Sequence, residues 1–288
     1  MTGSQRTLRR PAAVTGFGYW SGVDVTVEFR PAPADSGIVF VRRDLGSDAR
    51  IPASTDFRIP AERRTNLRRG DAQVDMVEHI LAALNGMAID NCEVHVDAQE
   101  MPGCDGSSLP FAEAIEDAGA VTQSSSAKRL VVDRVARVGD EASWVEARPA
   151  APGELVIEFR LDYPNCPAIG RQTARVTLTR DTFLRDLAPC RTFVLASEAD
   201  QLQQSGRGTR VTTQDLLVFD QEGPRDNVLR YANECARHKA LDVLGDLALT
   251  GRRLEGEFTA YRSGHRYNAE LAAQLLRRTA SNADRVAA

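Results

Sequence analysis

The sequence predicts an α+β fold built as two halves, each with a helical layer packed on a β-sheet. Strand-like alternation gives way to helix-like spacing twice along the 288 residues. Between the two runs lies Thr122-Gln123-Ser124-Ser125-Ser126-Ala127-Lys128, a polar stretch typical of a linker. The length is also enough to bury a sizeable core in one or two domains. The expected division is 1–123 and 128–288.

In the first half, Val23 to Arg30 alternates as a strand, with Val25, Val27 and Phe29 on one side. Pro31 to Gly37 turns the chain into a second strand, Ile38 to Arg42. Met76 to Asn85 carries Val77, Ile80, Leu81 and Leu84 at helical spacing and ends at Asn85-Gly86. Cys92 to Val96 alternates again, and Pro110 to Ala118 reads as a helix stopped by Gly119. The second half repeats this order without a clear sequence repeat. Leu130 to Val138, Trp144 to Ala147, Glu154 to Leu161 and Arg175 to Thr179 read as strands. Helices are expected at Ser197–Gln204, Asn227–Leu249 and Ala269–Arg278.

Composition is that of an ordinary soluble protein, 26% charged and 42% hydrophobic. The net charge of −4 gives no reason to expect nucleic acid as a partner. Five cysteines, with no Cys-x-x-Cys pair, disfavour a disulfide framework and suit a reducing cytosol. The basic segment Met1 to Val14 lacks the apolar run of a signal peptide. No stretch approaches the roughly 20 apolar residues that cross a bilayer, so no stable membrane insertion is expected. Only two lysines occur, Lys128 and Lys239, which draws attention to the one beside His238.

The chemistry concentrates in His238 to Asp246. On a helix, His238, Asp242 and Asp246 fall four apart and share a face. An imidazole and a carboxylate one turn apart are ready zinc ligands, and a third would leave a catalytic position open. His79 is the obvious third. Glu78 beside it can act as general base toward an attacking water. Asp242 lies among Ala240, Leu241, Val243 and Leu244, where a charge needs compensation. Asp246 is placed to orient a histidine. His265, after Ser263-Gly264, reads as a loop residue able to donate a proton. Thr192 offers a hydroxyl to a developing oxyanion. His95, between Val94 and Val96, reads as structural.

These pieces, in this order, closely resemble the zinc-dependent UDP-3-O-acyl-N-acetylglucosamine deacetylases of lipid A biosynthesis. The matching stretches include Arg30-Pro31-Ala32-Pro33-Ala34, Val77-Glu78-His79-Ile80-Leu81, Met101-Pro102-Gly103-Cys104-Asp105-Gly106-Ser107 and Pro167-Ala168-Ile169-Gly170. Arg191-Thr192-Phe193, Arg237-His238-Lys239-Ala240-Leu241-Asp242, Gly256-Glu257-Phe258 and Ser263-Gly264-His265 complete the set. The resemblance implies two similar domains whose helical layers face each other across the active site. It implies Zn2+ held by His79, His238 and Asp242, with Glu78 as base. It further implies His265 supported by Asp246 as acid, Thr192 polarising the carbonyl, and Lys239 and Phe193 touching substrate. The substrate would be an acylated UDP-N-acetylglucosamine, its fatty chain gripped by an insert expected around Tyr163 to Arg171. A cytoplasmic monomer is expected.

Three stretches depart from the family's usual pattern: Tyr19-Trp20, Val194-Leu195 and Val211 to Leu216. They spare every expected catalytic residue and bear on which substrate is preferred. Two further readings remain: a zinc amidohydrolase acting on a different N-acylated sugar, and a binding protein with structural zinc. The second is disfavoured because structural zinc sites usually close with four protein ligands.

Overall fold

Two mixed sheets of the same topology organise the chain in the computed structural model, which describes residues 3–286 and side-chain burial as far as 279. The first runs in the order Ala12–Phe17, Asp24–Pro31, Cys92–Val96, Ile38–Arg42, Arg50–Pro52. The second runs Ala136–Gly139, Trp144–Arg148, Arg253–Tyr261, Leu155–Tyr163, Gly170–Thr177, with Arg129–Val131 added beside Arg253–Tyr261. Along both paths the pairings are antiparallel, antiparallel, parallel, antiparallel. The expected α+β architecture is present, and the two halves share it.

A parallel pair needs a crossover, and in both halves that crossover contains the key helix. Ile38–Arg42 reaches Cys92–Val96 by way of helix Glu78–Gly86, and Leu155–Tyr163 reaches Arg253–Tyr261 by way of helix Glu234–Leu247. The inward face of Asp24–Pro31 is Val25, Val27 and Phe29, all buried, as the alternation predicts. Both crossover helices are nearly surrounded, so each is buried on almost every face rather than on one stripe.

These two helices meet at Gly245. A Cβ at that position would stand 2.1 Å from the carbonyl oxygen of Glu78, so only glycine allows the approach. The contact brings the helical layers face to face and sets the first turn of one helix against the last turn of the other.

Several elements differ from expectation. The supposed linker is a strand: Ala120–Ser126 pairs antiparallel with Ser4–Leu8. The strand expected over Leu130–Val138 is two short ones, Arg129–Val131 and Ala136–Gly139. The helix expected from Asn227 begins at Glu234, because Asn227 and Arg230 spend their side chains on Thr213, Pro189 and Asp105 in neighbouring loops. His265 is not on a loop but is the first residue of the last helix, His265–Val286. Tyr163 to Arg171 is the tip joining two strands, whereas an additional strand–helix–strand unit spans Phe193–Leu195, Ala196–Gln204 and Leu217–Phe219. Among the described residues, no helix is long and apolar enough to cross a membrane.

Gly245→Ala places a methyl group against backbone that has no rotamer to yield. Urea unfolding is expected to show a loss of ~1–3 kcal/mol, the usual cost of overpacking; an unchanged midpoint would mean that the helices part without cost.

Candidate active site

The facing helices bring together residues from both halves. Glu78 and His79 occupy the first turn of Glu78–Gly86, where adjacent side chains diverge by about 100°. Glu234–Leu247 supplies His238, Asp242 and Asp246 from successive turns. All five are buried.

His79, His238 and Asp242 form the one three-residue cluster of potential metal donors among the described residues. Asp242 Oδ1 lies 3.6 Å from His79 Nε2 and 3.5 Å from His238 Nε2. A tetrahedral zinc site with bonds of about 2.1 Å has edges of about 3.4 Å, so this spacing suits a divalent ion. Asp242 Oδ1 is buried and has no hydrogen-bond partner, a costly state for a carboxylate oxygen unless a cation meets it. His238 Nδ1 is 3.1 Å from the Cys190 carbonyl, which fixes the proton there and turns the Nε2 lone pair inward. Burial pushes the His238 imidazole down to about 3, so it is neutral and free to donate a lone pair.

Charge around this cluster is arranged by contacts. Burial alone would raise Asp242, but Lys239, with Nζ 2.8 Å from Oδ2, and the neighbouring imidazoles outweigh it and hold its pKa well below the carboxylate range. Burial likewise opposes the Lys239 charge, and Asp242 overcomes it, so the ammonium is held above its ordinary range. Glu78 behaves differently. Desolvation dominates and raises its pKa, which makes it a stronger base once ionised.

His265 faces Asp242 from the opposite side, its Nε2 4.0 Å from Oδ2. Its Nδ1 is bound to Asp246 at 2.9 Å. Burial works against the imidazolium, but Asp246 and Glu78 prevail and lift His265 to about 9. The Asp246 carboxylate also accepts from Thr65 Oγ1 and Asn268 Nδ2, at 2.5 and 2.8 Å. With Lys239 and protonated His265 set against three carboxylates, the pocket is short of positive charge. A divalent cation would make good that shortage.

Thr192 is positioned by its neighbours on both sides. Its N–H donates to the Gly106 carbonyl at 2.7 Å, and its own carbonyl accepts from Leu217 N at 3.0 Å. Gly106 has φ +82°, and a Cβ there would press on Asp215 and Thr192. Sequence reasoning missed the anchor beside it. Arg191 Nε meets Glu234 Oε1 at 2.8 Å, both groups buried, which ties the Arg191–Phe193 segment to the start of the helix that bears His238. Thr65 and Asn268 were also missed: neither carries a charge or a motif, and their role comes only from what they touch.

The cluster opens into a cavity of about 330 Å3. Glu78, His79, Thr192, Phe193, His238, Lys239, Asp242 and His265 line it, so all the expected site residues but Asp246 reach its surface. The rest of the wall mixes apolar residues, among them Tyr19, Trp20, Val194, Val211, Leu216 and Val218, with polar and charged ones that include Arg63, Asp200, Arg207 and Arg225. The three stretches singled out in the sequence thus meet on one surface. Trp20 sits beneath the guanidinium groups of Arg64 and Arg207, 4.5 and 5.9 Å from the ring centre. None of Tyr163 to Arg171 belongs to this wall. Tyr163, Pro164 and Asn165 instead line a second cavity of similar size, which shares Lys239.

Known proteins match this chain along almost its whole length. A family described as UDP-3-O-acyl N-acetylglycosamine deacetylase matches residues 5–277. A UDP-3-O-acyl-N-acetylglucosamine deacetylase of Anaeromyxobacter sp. (strain Fw109-5) is 39% identical, over 95% of this chain and 88% of its own length. One from Brucella ovis is 34% identical, over 96% of each chain. A bifunctional enzyme LpxC/FabZ of Chlorobaculum tepidum is 36% identical over 94% of this chain, a match that takes in 64% of that longer protein.

Proposed function

The chain belongs to the UDP-3-O-acyl N-acetylglycosamine deacetylase family, and from that premise we propose how its own residues carry the reaction. The substrate is UDP-3-O-acyl-N-acetylglucosamine, and the reaction releases acetate and the free 2-amino sugar nucleotide for lipid A synthesis. The observation that carries the reading is the convergence of His79, from one half, with His238 and Asp242, from the other, around an unpartnered buried carboxylate oxygen. These three residues would hold the metal. Zinc is the ion we assign, since two imidazoles and a carboxylate are its common donors in hydrolytic sites. When bound, it supplies Lewis acidity and lowers the pKa of water.

The protein's groups divide the proton work. Ionised Glu78, held by the Thr65 N–H at 2.9 Å, takes a proton from the water whose oxygen attacks the acetamido carbonyl carbon. Thr192 lines the cavity where its hydroxyl can donate to the carbonyl oxygen as negative charge develops. The C–N bond then breaks, and protonated His265 gives its Nε2 proton to the departing amine. Asp246 keeps that imidazole charged and fixes its orientation. Lys239, between the two cavities, and Phe193, packed near His238, are the substrate contacts.

We assign the acyl chain to the first cavity, against Trp20, Val211, Leu216 and Val218, rather than to the tip at Tyr163–Arg171. The unit from Phe193 to Phe219 then acts as the acyl-binding insert. The expected boundary at 123 falls inside strand Ala120–Ser126, so the first domain is taken to run through Ser126 and the second from 128 to 288. The enzyme is taken as a cytoplasmic monomer, a compartment that suits its five free cysteines.

Glu78→Ala is expected to keep its metal while acetate release falls by ~10²–10⁴-fold, the usual contribution of a general base. Loss of metal and fold together would instead make Glu78 a ligand.

The rate should be bell-shaped in pH. Below the raised Glu78 pKa the base is protonated and activity falls; above about 9 His265 loses its proton and activity falls again. His265→Ala should flatten the alkaline limb, and an unchanged profile removes His265 from that role.

Trp20→Ala enlarges the cavity wall. It should move the preferred acyl chain to greater length, seen as a shift in kcat/KM across a series of UDP-3-O-acyl substrates. An identical series profile would place the chain elsewhere.

A further inference from the structure

Thr65 is fully buried and is bound through every polar group it has. Its N–H donates to Glu78 Oε2 at 2.9 Å. Its hydroxyl donates to Asp246 Oδ1 at 2.5 Å. Its carbonyl accepts from the N–H of Val77, the residue just before Glu78, at 3.1 Å. Two of the three bonds end on helices from different halves of the molecule, at the groups assigned above as the base and as the partner of the acid. The third holds the residue that leads into the first of those helices.

We propose that Thr65 is a positioning residue that couples the two proton-transfer groups, an inference that rests on the roles given to Glu78 and Asp246. The backbone N–H aims Glu78 by occupying Oε2, which leaves Oε1 as the oxygen available to receive a proton. The hydroxyl does the corresponding work on Asp246. That carboxylate receives Thr65 on Oδ1, Asn268 Nδ2 on Oδ2 and His265 Nδ1 nearest Oδ2, and Ser263 Oγ in turn donates to Asn268 Oδ1 at 2.7 Å. Without the hydroxyl, Oδ1 loses its shortest bond and the carboxylate can rotate about its Cβ–Cγ bond. His265 follows it, because Nδ1 is the handle by which Asp246 sets the direction of Nε2. A buried acceptor stripped of its donor also seeks a new partner, which draws the ring further from its working position. Thr65 itself need not touch substrate.

Two variants separate the hydroxyl from the backbone. Thr65→Val keeps shape and N–H but removes the hydroxyl; Thr65→Ser keeps both polar groups. The proposal expects Thr65→Val to lower kcat by ~10–100-fold, as small misplacements of reacting groups do. KM and bound metal should change little, and Thr65→Ser should recover most of the rate. Because Thr65 acts through Asp246, combining Thr65→Val with Asp246→Asn should cost no more than Asp246→Asn alone.

A fully active Thr65→Val, a Thr65→Ser as impaired as Thr65→Val, or strictly additive losses would each overturn the proposal. If Thr65→Val fails to fold, the unaltered protein decides. A Thr65 hydroxyl proton held by Asp246 is then seen by proton NMR as slow to exchange, and a freely exchanging one overturns the coupling. An unaltered protein that releases no acetate from the acylated sugar nucleotide overturns the functional reading along with this one. An active protein indifferent to Thr65→Val overturns this one alone.

Discussion

Everything in the site depends on how closely two helices approach at Gly245. The absence of a side chain there lets the backbone of Glu234–Leu247 lie against the Glu78 carbonyl. That one contact sets the axial register between the halves. With it, His79 from one crossover helix meets His238 and Asp242 from the other, and Glu78 lies within reach of the residues that hold Asp246. The matching topology of the two sheets explains why the meeting is possible. Each half carries its key helix in the crossover of an equivalent parallel pair, and the two helices pack on each other.

Burying so much charge requires that nearly every group have a partner, and the structure meets this with few residues. Asp246 accepts from three donors, Thr65 on one segment and His265 and Asn268 on the first turn of the last helix. Arg191 and Glu234 form a sealed pair beneath the cavity, with Glu234 Oε1 and Oε2 also taking the N–H groups of Arg191 and Arg230. Breaking such a pair is far costlier than its net contribution, since the remaining charge stays buried. Against that background Asp242 Oδ1 stands out. It lies between two imidazole nitrogens and no hydrogen bond reaches it. The same economy separates Glu78, adjacent to one potential metal donor, from Asp242, itself a potential donor. Desolvation raises Glu78, whereas Lys239 and the imidazoles keep Asp242 charged, so one suits a base and the other a ligand.

Much of this was legible in the sequence. The spacing of His238, Asp242 and Asp246 gave one helical face directly, and Glu78-His79 followed from its place at a helix start. Alternation found Asp24–Pro31 and Cys92–Val96. The central strand Arg253–Tyr261 escaped because Gly256, with φ +153°, interrupts the pattern where Val132 and the Arg148 carbonyl crowd against it. The polar strand Ala120–Ser126 read as a linker because its partner, Ser4–Leu8, is more than a hundred residues distant. His265 looked like a loop residue because the helix it opens begins with a polar turn. Thr65, Asn268, Arg191 and Glu234 could not be found by residue type: each gains its importance from a partner remote in the chain. The departures at Trp20, Val194 and Val211 were visible one by one, but only folding shows that they share a wall.

The most direct test is an anomalous-scattering map of the crystallised protein recorded at the zinc edge. The account predicts one peak per chain, within bonding distance of His79, His238 and Asp242 and of no fourth protein side chain. A peak elsewhere, or a site closed by a fourth side chain, would contradict it.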